Sequence, residues 1–252
     1  MKLESLLQYV DEYLGTVGHP DYRTALNGLQ VAGPDEVEVI ATAVDASAGT
    51  IGAAAERGAD LLMVHHGLFW DGLQPVVGRH HARLSRLFEA NLALYSCHLP
   101  LDAHAEIGNC ILLAKALGLS TEGRLGVYEG VDLGWWGRLD EPLEIEAFRR
   151  RVADAVGGAV QALPGGPEVI ETVGVLTGGG GSFVREAAEL GLDAFVTGEG
   201  AHHTYFDAVE FGIHVLFAGH YATETFGVRA LGEHLTERFG LESHFIDQPT
   251  GL

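Results

Sequence analysis

The sequence contains few of the features that mark a secreted or membrane-spanning protein. Cysteine occurs only twice, at Cys97 and Cys110, which excludes a disulfide framework and a thiolate zinc site and fits a reducing cytosol. The first 14 residues are amphipathic and acidic, without the basic start and apolar core of a signal peptide. No apolar run approaches the roughly 20 residues that a membrane span needs. These absences predict a cytoplasmic protein.

Basic residues are also scarce, since 15 Lys and Arg stand against 35 Asp and Glu, for a formal net charge of -20. Binding to the phosphate backbone of DNA or RNA requires a basic surface, so a nucleic-acid partner is disfavoured. Histidine, in contrast, is abundant, with 13 residues that cluster in several places. Bound cations would offset part of the negative charge locally.

Apolar segments alternate with helical patterns almost throughout the chain, which predicts an α/β fold with parallel strands. The expected strands that matter most for function are residues 37–44, 61–64, 92–97, 193–196 and 213–217. Residues 120–140 are rich in glycine and are expected to form a connector with strand character. The chain is expected to close with a helix over residues 222–238.

An internal repeat relates the two halves of the sequence. AVDAS, IGAAAERGAD and LLMVHH in the first half correspond to VLTGG, FVREAAELGLD and AFVTGE in the second. The halves continue as LALYSCHLPLD and HVLFAGHYATE, each an apolar strand followed by a histidine and, four positions later, a carboxylate. We therefore expect a duplication with two similar lobes, residues 1–125 and 126–252, mainly parallel central sheets and a metal site between the lobes.

Candidate metal ligands occur where three of the predicted strands end. His65 and His66 follow the apolar run of residues 61–64, and at a strand end both imidazoles can reach neighbouring metal sites. Taken alone, this pair is more typical of two surface histidines at the start of a loop.

The other two candidate pairs share the spacing of a histidine and a carboxylate four positions apart. Asp102 follows His98 at an expected helix start, where the alternative role of its carboxylate is that of an N-cap. Glu224 follows His220, and this spacing places both side chains on one face of a helix. An exposed first turn is the alternative for that pair.

Together the three pairs predict a metal centre, because the carboxyl ends of parallel strands lie at one edge of a sheet. A donor set of His, Asp and Glu without Cys suits zinc, iron, manganese, nickel or cobalt. The donors are too many for one catalytic ion, which usually keeps about three protein ligands and an open position. Two divalent ions about 3.5–4 Å apart could hold a hydroxide and clamp an oxyanion.

The sequence resembles the Nif-three-like dinuclear-metal family, the type 2 homologues of GTP cyclohydrolase 1. The resemblance is carried by NGLQVAG (27–33), MVHHGLFW (63–70), YSCHLPLD (95–102), TGGGG (177–181), DAFVTGE (193–199) and AGHYATETFGV (218–228). It implies two interlinked α/β lobes with exchanged segments and a homohexameric ring built from dimers. It also implies five metal ligands, at His65, His66, Asp102, His220 and Glu224.

The chain departs from the family pattern at two places near these ligands. Gly67 stands where the family usually has proline, which is expected to loosen the loop without removing a ligand. The residues before Asp102 are Leu99-Pro100-Leu101 where the family tends to have Thr-Asn-Leu, so a polar contact made there in relatives is not expected here. The long inserted domain of some relatives is absent from this sequence.

Two further residues are candidates for proton transfer. His98 matches a family position outside the five ligands and could orient a ligand or carry a proton. Glu199 is the counterpart of His66 in the second half and could line the cavity, hold a water or pair with a histidine. His202 and His203 are either helix-face residues or substrate contacts.

Two other motifs have a structural and a binding interpretation. The glycines at 178–181 follow a strand and lack a following Lys-Ser/Thr, so a tight turn is favoured over a phosphate cradle. Trp135 and Trp136 could stack a base, although filling a lobe or subunit interface is favoured.

The chain is therefore predicted to be a dinuclear-metal, hydrolase-like protein in which a metal-bound hydroxide attacks a nucleotide-type substrate. The specific GTP cyclohydrolase activity is implied by the resemblance alone, since phosphoester cleavage suits the same centre. Two alternatives are a non-catalytic metal-binding adaptor or regulatory scaffold and a metal-delivery protein.

Overall fold

The computed structural model describes residues 1–70 and 72–252. Its helices are α1 (Leu3–Leu14), α2 (Ala48–Glu56), α3 (Gly78–Glu89), α4 (Leu99–Ala103), α5 (Asn109–Ala116), α6 (Ile145–Val156), α7 (Val184–Glu189), α8 (Thr204–Phe211), α9 (His220–Thr223) and α10 (Thr225–Phe239). A short 3-10 helix spans Gly180–Phe183. The strands are β1 (Gly28–Val31), β2 (Val39–Asp45), β3 (Leu61–His66), β4 (Ala93–Ser96), β5 (Leu119–Tyr128), β6 (Val131–Glu144), β7 (Gln161–Leu163), β8 (Val169–Val175), β9 (Ala194–Thr197), β10 (His214–Phe217) and β11 (Glu242–Phe245).

The chain forms two compact units, each with its own sheet. The first unit comprises Met1–Leu101 and Gly227–Gln248, and the second comprises Asp102–Phe226 and Pro249–Leu252. The expected division at residue 125 differs from this one, because α5 packs on β6 and β8 of the second unit. Within the described residues, no helix combines the length and the apolar character that crossing a bilayer requires.

The first unit is built on a five-stranded sheet in the order β1-β4-β3-β2-β11. All pairings are parallel except that of β1 with β4. β3 is buried along almost its whole length, which is typical of a central parallel strand and explains its continuous apolar sequence. The core around it is formed by apolar residues of the sheet and its helices, among them Ile51, Leu62, Val64, Leu87 and Leu94.

The second unit contains a six-stranded sheet in the order β5-β6-β8-β9-β10-β7. Only the pairings of β8 with β9 and of β9 with β10 are parallel. The expected glycine-rich connector is instead a long antiparallel hairpin of β5 and β6 that extends this sheet. The core of the unit includes Leu113, Phe148, Val173, Val196 and Leu216.

The predicted α/β fold with two similar lobes is confirmed by this topology. The order β1-β4-β3-β2 in the first sheet repeats as β7-β10-β9-β8 in the second, with an antiparallel edge strand in each. Asp60 accepts the backbone N–H groups of Glu38 and Val39, at 2.8 and 3.0 Å. Asp193 does the same for the backbone of β8, since its Oδ2 accepts the N–H groups of Glu171 and Thr172, at 2.9 and 2.8 Å. The Gly-x-Asp turn of the sequence repeat thus has the same structural role in both lobes.

Candidate metal centre

The two adjacent histidines are the last residues of β3, because the strand continues beyond residue 64 to His66. His65 is fully buried, and its Nδ1 atom lies 3.0 Å from the carbonyl oxygen of Cys97. Since a carbonyl oxygen can only accept, Nδ1 carries the proton and Nε2 presents its lone pair. His65 therefore has the tautomer that a metal ligand needs.

His66 is partly exposed and is held by a carboxylate. Its Nδ1 lies 2.9 Å from Oδ1 of Asp45, the last residue of β2. β2 and β3 are parallel neighbours, and their register pairs Asp45 with His66. The ring of His66 lies 4.7 Å from that of His65, centroid to centroid. Both imidazoles therefore reach the same region although they are consecutive in a strand.

His98 joins this pair because β4, which precedes it, is the parallel neighbour of β3. Its ring centroid lies 4.9 Å from that of His65 and 5.6 Å from that of His66. The three residues offer ring nitrogens that lie within 4.8 Å of one another, and together they could hold a metal ion. The structure thus brings together, at one sheet edge, three of the histidines that the sequence singled out.

Asp21 organises the surroundings of His98 through both of its oxygens. Oδ1 accepts from Nδ1 of His98 and from the N–H of Tyr22, both at 2.7 Å. Oδ2 accepts from Nδ2 of Asn27 at 2.7 Å and from the N–H of Leu99 at 3.1 Å. Burial raises the pKa of Asp21, but the hydrogen bond and charge of His98, with those of Asn27 and Tyr22, outweigh it and lower the pKa overall. Asp21 is therefore a buried carboxylate that fixes the orientation of His98.

Asp102 is the fourth residue of α4 and lies in its first turn, as predicted, but it is not the N-cap. The carboxylate of Asp102 is buried, and its Oδ1 accepts from Nδ2 of Asn109 at 2.8 Å and from Oγ1 of Thr177 at 3.1 Å. These two side-chain donors fix the orientation of the carboxylate in the first turn of α4.

Cys110 lies beside the same carboxylate but is unsuited to bind a metal. Its Sγ lies 3.3 Å from Oγ1 of Thr177. Burial, and next the negative charge of Asp102, raise the pKa of the Cys110 thiol to about 12. The residue remains a neutral thiol at neutral pH, whereas metal binding by cysteine requires the thiolate.

His220 and Glu224 are adjacent, as their spacing predicts. Nε2 of His220 lies 3.2 Å from Oε1 of Glu224, and Nδ1 lies 2.8 Å from Oε1 of Glu199. Burial lowers the pKa of His220, but the hydrogen bonds and charges of Glu224 and Glu199 outweigh it and raise the pKa to about 9. A proton thus joins Nε2 to Glu224 at neutral pH, in the position where a cation would bind both groups.

Gly178 provides the space for the Glu224 carboxylate. A Cβ at this position would lie 2.2 Å from Oε1 of Glu224 and 3.4 Å from Nε2 of His220. The backbone of Gly178 also has a φ of +63°, a conformation that L side chains rarely adopt. Both facts require glycine here and fit a cluster of donor atoms that must stay open to a cation.

The glycines at 178–181 form a turn, which is the interpretation that the sequence favours. The N–H of Gly178 donates to Oγ1 of Thr223 at 3.1 Å, and the N–H of Gly180 donates to Oγ1 of Thr197 at 3.0 Å. Because these N–H groups are bonded within the protein, they do not form a phosphate cradle.

The remaining sequence candidates have structural contacts. His202 and His203 are exposed just before α8, and the ring of His202 meets Phe206 edge to face at 5.9 Å. The guanidinium of Arg124 lies over the ring of Trp135, 4.1 Å from its centroid. His202 and His203 therefore lie in a turn before the helix and not on its face, and the contact with Arg124 favours Trp135 as a packing residue.

Sequence reasoning did not identify the acids that orient the histidines. Asp45 lies at a strand end within the repeated motif AVDAS, and this position was the available indication of its role. Asp21 lies in an irregular loop without periodicity, and only the fold brings it to His98. Glu199 was identified, and among its possible roles the structure shows the pairing with a histidine.

Comparisons with known proteins identify the family of the chain. The model of the Duf34/NIF3 (NGG1p interacting factor 3) family matches residues 1–251. The chain belongs to this family. The family match confirms the resemblance that the motifs indicated.

Members of the family with curated names are similar over their whole length. The GTP cyclohydrolase 1 type 2 homolog of Deinococcus radiodurans is 43% identical over 249 residues, which are 99% of this chain and 94% of the relative. The homolog of the same name from Escherichia coli K12 is 42% identical over 257 positions, with 99% of each chain covered.

Solved structures of the family have the same fold. Protein ybgI, described as of unknown function, shares 41% identity with a TM-score of 0.94 and full coverage of both chains, 100% each. TTHA1606 from Thermus thermophilus shares 40% identity with a TM-score of 0.89, again with 100% of both chains covered. This family member therefore has the family's α/β fold together with His, Asp and Glu groups that could hold a metal.

Proposed function

We propose that this member of the Duf34/NIF3 family is a metal-dependent, hydrolase-like protein that acts on a nucleotide-type substrate. The proposed ligands of two divalent ions are His65, His66, Asp102, His220 and Glu224. The names of the relatives, GTP cyclohydrolase 1 type 2 homolog, support a nucleotide as the substrate class. The proposal depends on the chemistry of the donor groups in each unit.

The observation that carries the proposal is the hydrogen bonding of the Nδ1 atoms of the three proposed histidine ligands. Nδ1 of His65, His66 and His220 each lies within 3.0 Å of an oxygen acceptor, a carbonyl in one and a carboxylate in two. Such acceptors fix the proton on Nδ1. They also make the lone pair of Nε2 more basic and so a better metal ligand, as is usual for histidines that bind metals. This arrangement recurs at three histidines that lie far apart in the sequence, which supports a common role in metal binding.

Two divalent ions held by these residues would polarise a substrate oxygen and lower the pKa of a water molecule. The residues of the chain would then position the substrate and move protons. His98, oriented by Asp21, is a candidate for proton transfer at its ring. Glu199 orients His220, and its side chain is 57% exposed, so it can also exchange protons with solvent.

The test is turnover of a nucleotide and phosphoester panel by the metal-loaded protein, compared with His66→Ala and Glu224→Ala. We expect hydrolysis by the unchanged chain and its loss in both variants, with circular dichroism and assembly unchanged. If metal is retained but no compound is turned over, the enzyme hypothesis is wrong and a metal-binding adaptor or delivery protein is favoured. Elemental analysis of protein purified without added metal identifies the ion.

The carboxylate of Asp45 offers a milder test, because it contacts His66 and not a proposed ion. We expect Asp45→Ala to weaken metal binding about 10- to 100-fold, the usual cost of removing such a partner. Asp45→Asn should recover part of the loss, since its amide oxygen still accepts from Nδ1. Competition with a chromophoric chelator measures the affinity.

The matched control for this experiment is Asp154→Ala, which removes an exposed carboxylate from α6. Its metal affinity should remain that of the unchanged protein. Equal affinities for Asp45→Ala and Asp154→Ala would show that His66 needs no partner.

A further inference from the structure

Two aromatic side chains, Tyr22 and Trp70, lie against the histidines of the first unit and are called the aromatic wall below. The ring of Trp70 lies 4.5 Å from that of His98 and 5.5 Å from that of His66, measured between centroids. Tyr22 lies 5.3 Å from His98 and 6.0 Å from Trp70. Trp70 has no atom that binds a metal ion, and Tyr22 would have to lose its phenolic proton to do so, so the position of the two rings needs another explanation.

The same polar contacts that orient the histidines also hold the aromatic wall. Asp21 accepts from both Nδ1 of His98 and the N–H of Tyr22, which ties Tyr22 to His98. Trp70 follows β3 in a loop fixed by the N–H of Leu68, which donates to Oε1 of Gln30 at 2.7 Å. The backbone that carries the wall is therefore held by hydrogen bonds next to the histidines.

The ring orientations leave Trp70 suited to stacking. The ring plane of Trp70 makes angles of 85°, 70° and 72° with the ring planes of His98, His66 and Tyr22, so each of these contacts is edge to face. Among the residues that the structure describes, no ring lies parallel on Trp70. Tyr22 is 47% exposed and Trp70 is half-buried, although large aromatic rings are usually more fully covered.

We propose that the aromatic wall stacks on a planar heteroaromatic ring, the base of the nucleotide-type substrate. This inference rests on the proposed function and adds to it the part of the substrate that the first unit contacts. Stacking on tryptophan and tyrosine tolerates every base, because each base has a π face. A ring on the wall would lie beside His66 and His98, so the base and not only the phosphates would be close to the reacting groups.

The test compares ligands with and without a base. Equilibrium dialysis of the metal-loaded protein measures binding of the four nucleoside 5′-monophosphates and of ribose 5-phosphate. We expect at least one nucleotide to bind about tenfold more tightly than ribose 5-phosphate. Trp70→Ala should remove this preference, Trp70→Phe should keep most of it, and Tyr22→Ala should reduce it.

The control is Tyr205→Ala, which removes a tyrosine of similar exposure, 45%, from α8. It should leave the preference for a base unchanged. Metal content is measured for every variant. If Trp70→Ala loses metal but keeps the preference, the wall only supports the histidines and the proposal is overturned.

Failure of this inference and failure of the proposed function give different results. If ribose 5-phosphate and all four nucleotides bind equally well, the stacking proposal is overturned, even where the protein hydrolyses a substrate. If a base preference depends on Trp70 but the protein shows no turnover, the stacking proposal is supported and the hydrolase proposal is wrong.

Discussion

Glu224→Gln is expected to reduce metal binding by more than the roughly 10- to 100-fold that follows loss of an outer partner. The carboxylate is 2% exposed and faces Nε2 of His220 at 3.2 Å. An amide of the same shape keeps the packing but removes the negative charge, and amides are poor ligands for transition metals. Elemental analysis after dialysis against a defined concentration of free metal measures the loss.

The matched control for this variant is Glu210→Gln, which neutralises an exposed glutamate on α8. Its metal content should equal that of the unchanged protein, and both variants should keep their circular dichroism spectra. Full metal content in Glu224→Gln would show that Glu224 is only the hydrogen-bond partner of His220.

Gly178→Ala is expected to abolish metal binding although it replaces none of the proposed ligands. The new Cβ would lie 2.2 Å from Oε1 of Glu224, so the carboxylate has to move away from His220. A ligand displaced by this contact no longer meets a cation together with the imidazole. We expect a loss of metal similar to that of Glu224→Gln, measured in the same dialysis experiment.

The backbone strain of Gly178→Ala can be separated from the steric effect. Gly191 has a φ of +74° and nothing within 4 Å of an added Cβ, so Gly191→Ala introduces the strain alone. This control should lower the free energy of unfolding by about 1–2 kcal/mol in urea titrations and leave metal content unchanged. If Gly178→Ala also keeps its metal, the carboxylate can relocate and the space beside it is not required.

The elements that carry the histidines could be predicted because local patterns determine them. The apolar run of residues 61–64 indicates a buried parallel strand. His220 and Glu224 are adjacent as their spacing predicts, although Glu224 lies between α9 and α10 and not on one continuous helix. The repeated Gly-x-Asp turn helped to identify the duplication, and the structure shows that Asp60 and Asp193 accept backbone N–H groups of equivalent strands. Each inference used residues within a single supersecondary unit.

What could not be predicted depends on contacts between distant segments. β7 and β11 are short edge strands of three and four residues, and they form because partner strands are present rather than from their own pattern. Asp21 reaches His98 across 77 positions of sequence, and Asp45 reaches His66 across 21. The ordinary propensity of aspartate for turns gave no indication of these partners.

The duplication has left the two lobes chemically unequal. Gly198 stands after β9 where His65 stands in the first lobe, and a Cβ there would lie 2.7 Å from both the carbonyl oxygen of Gly178 and Cα of His220. A histidine can therefore not be restored at this position by a single substitution. A protein assembled from two copies of either half would therefore lack part of the proposed donor set, so neither half could replace the other.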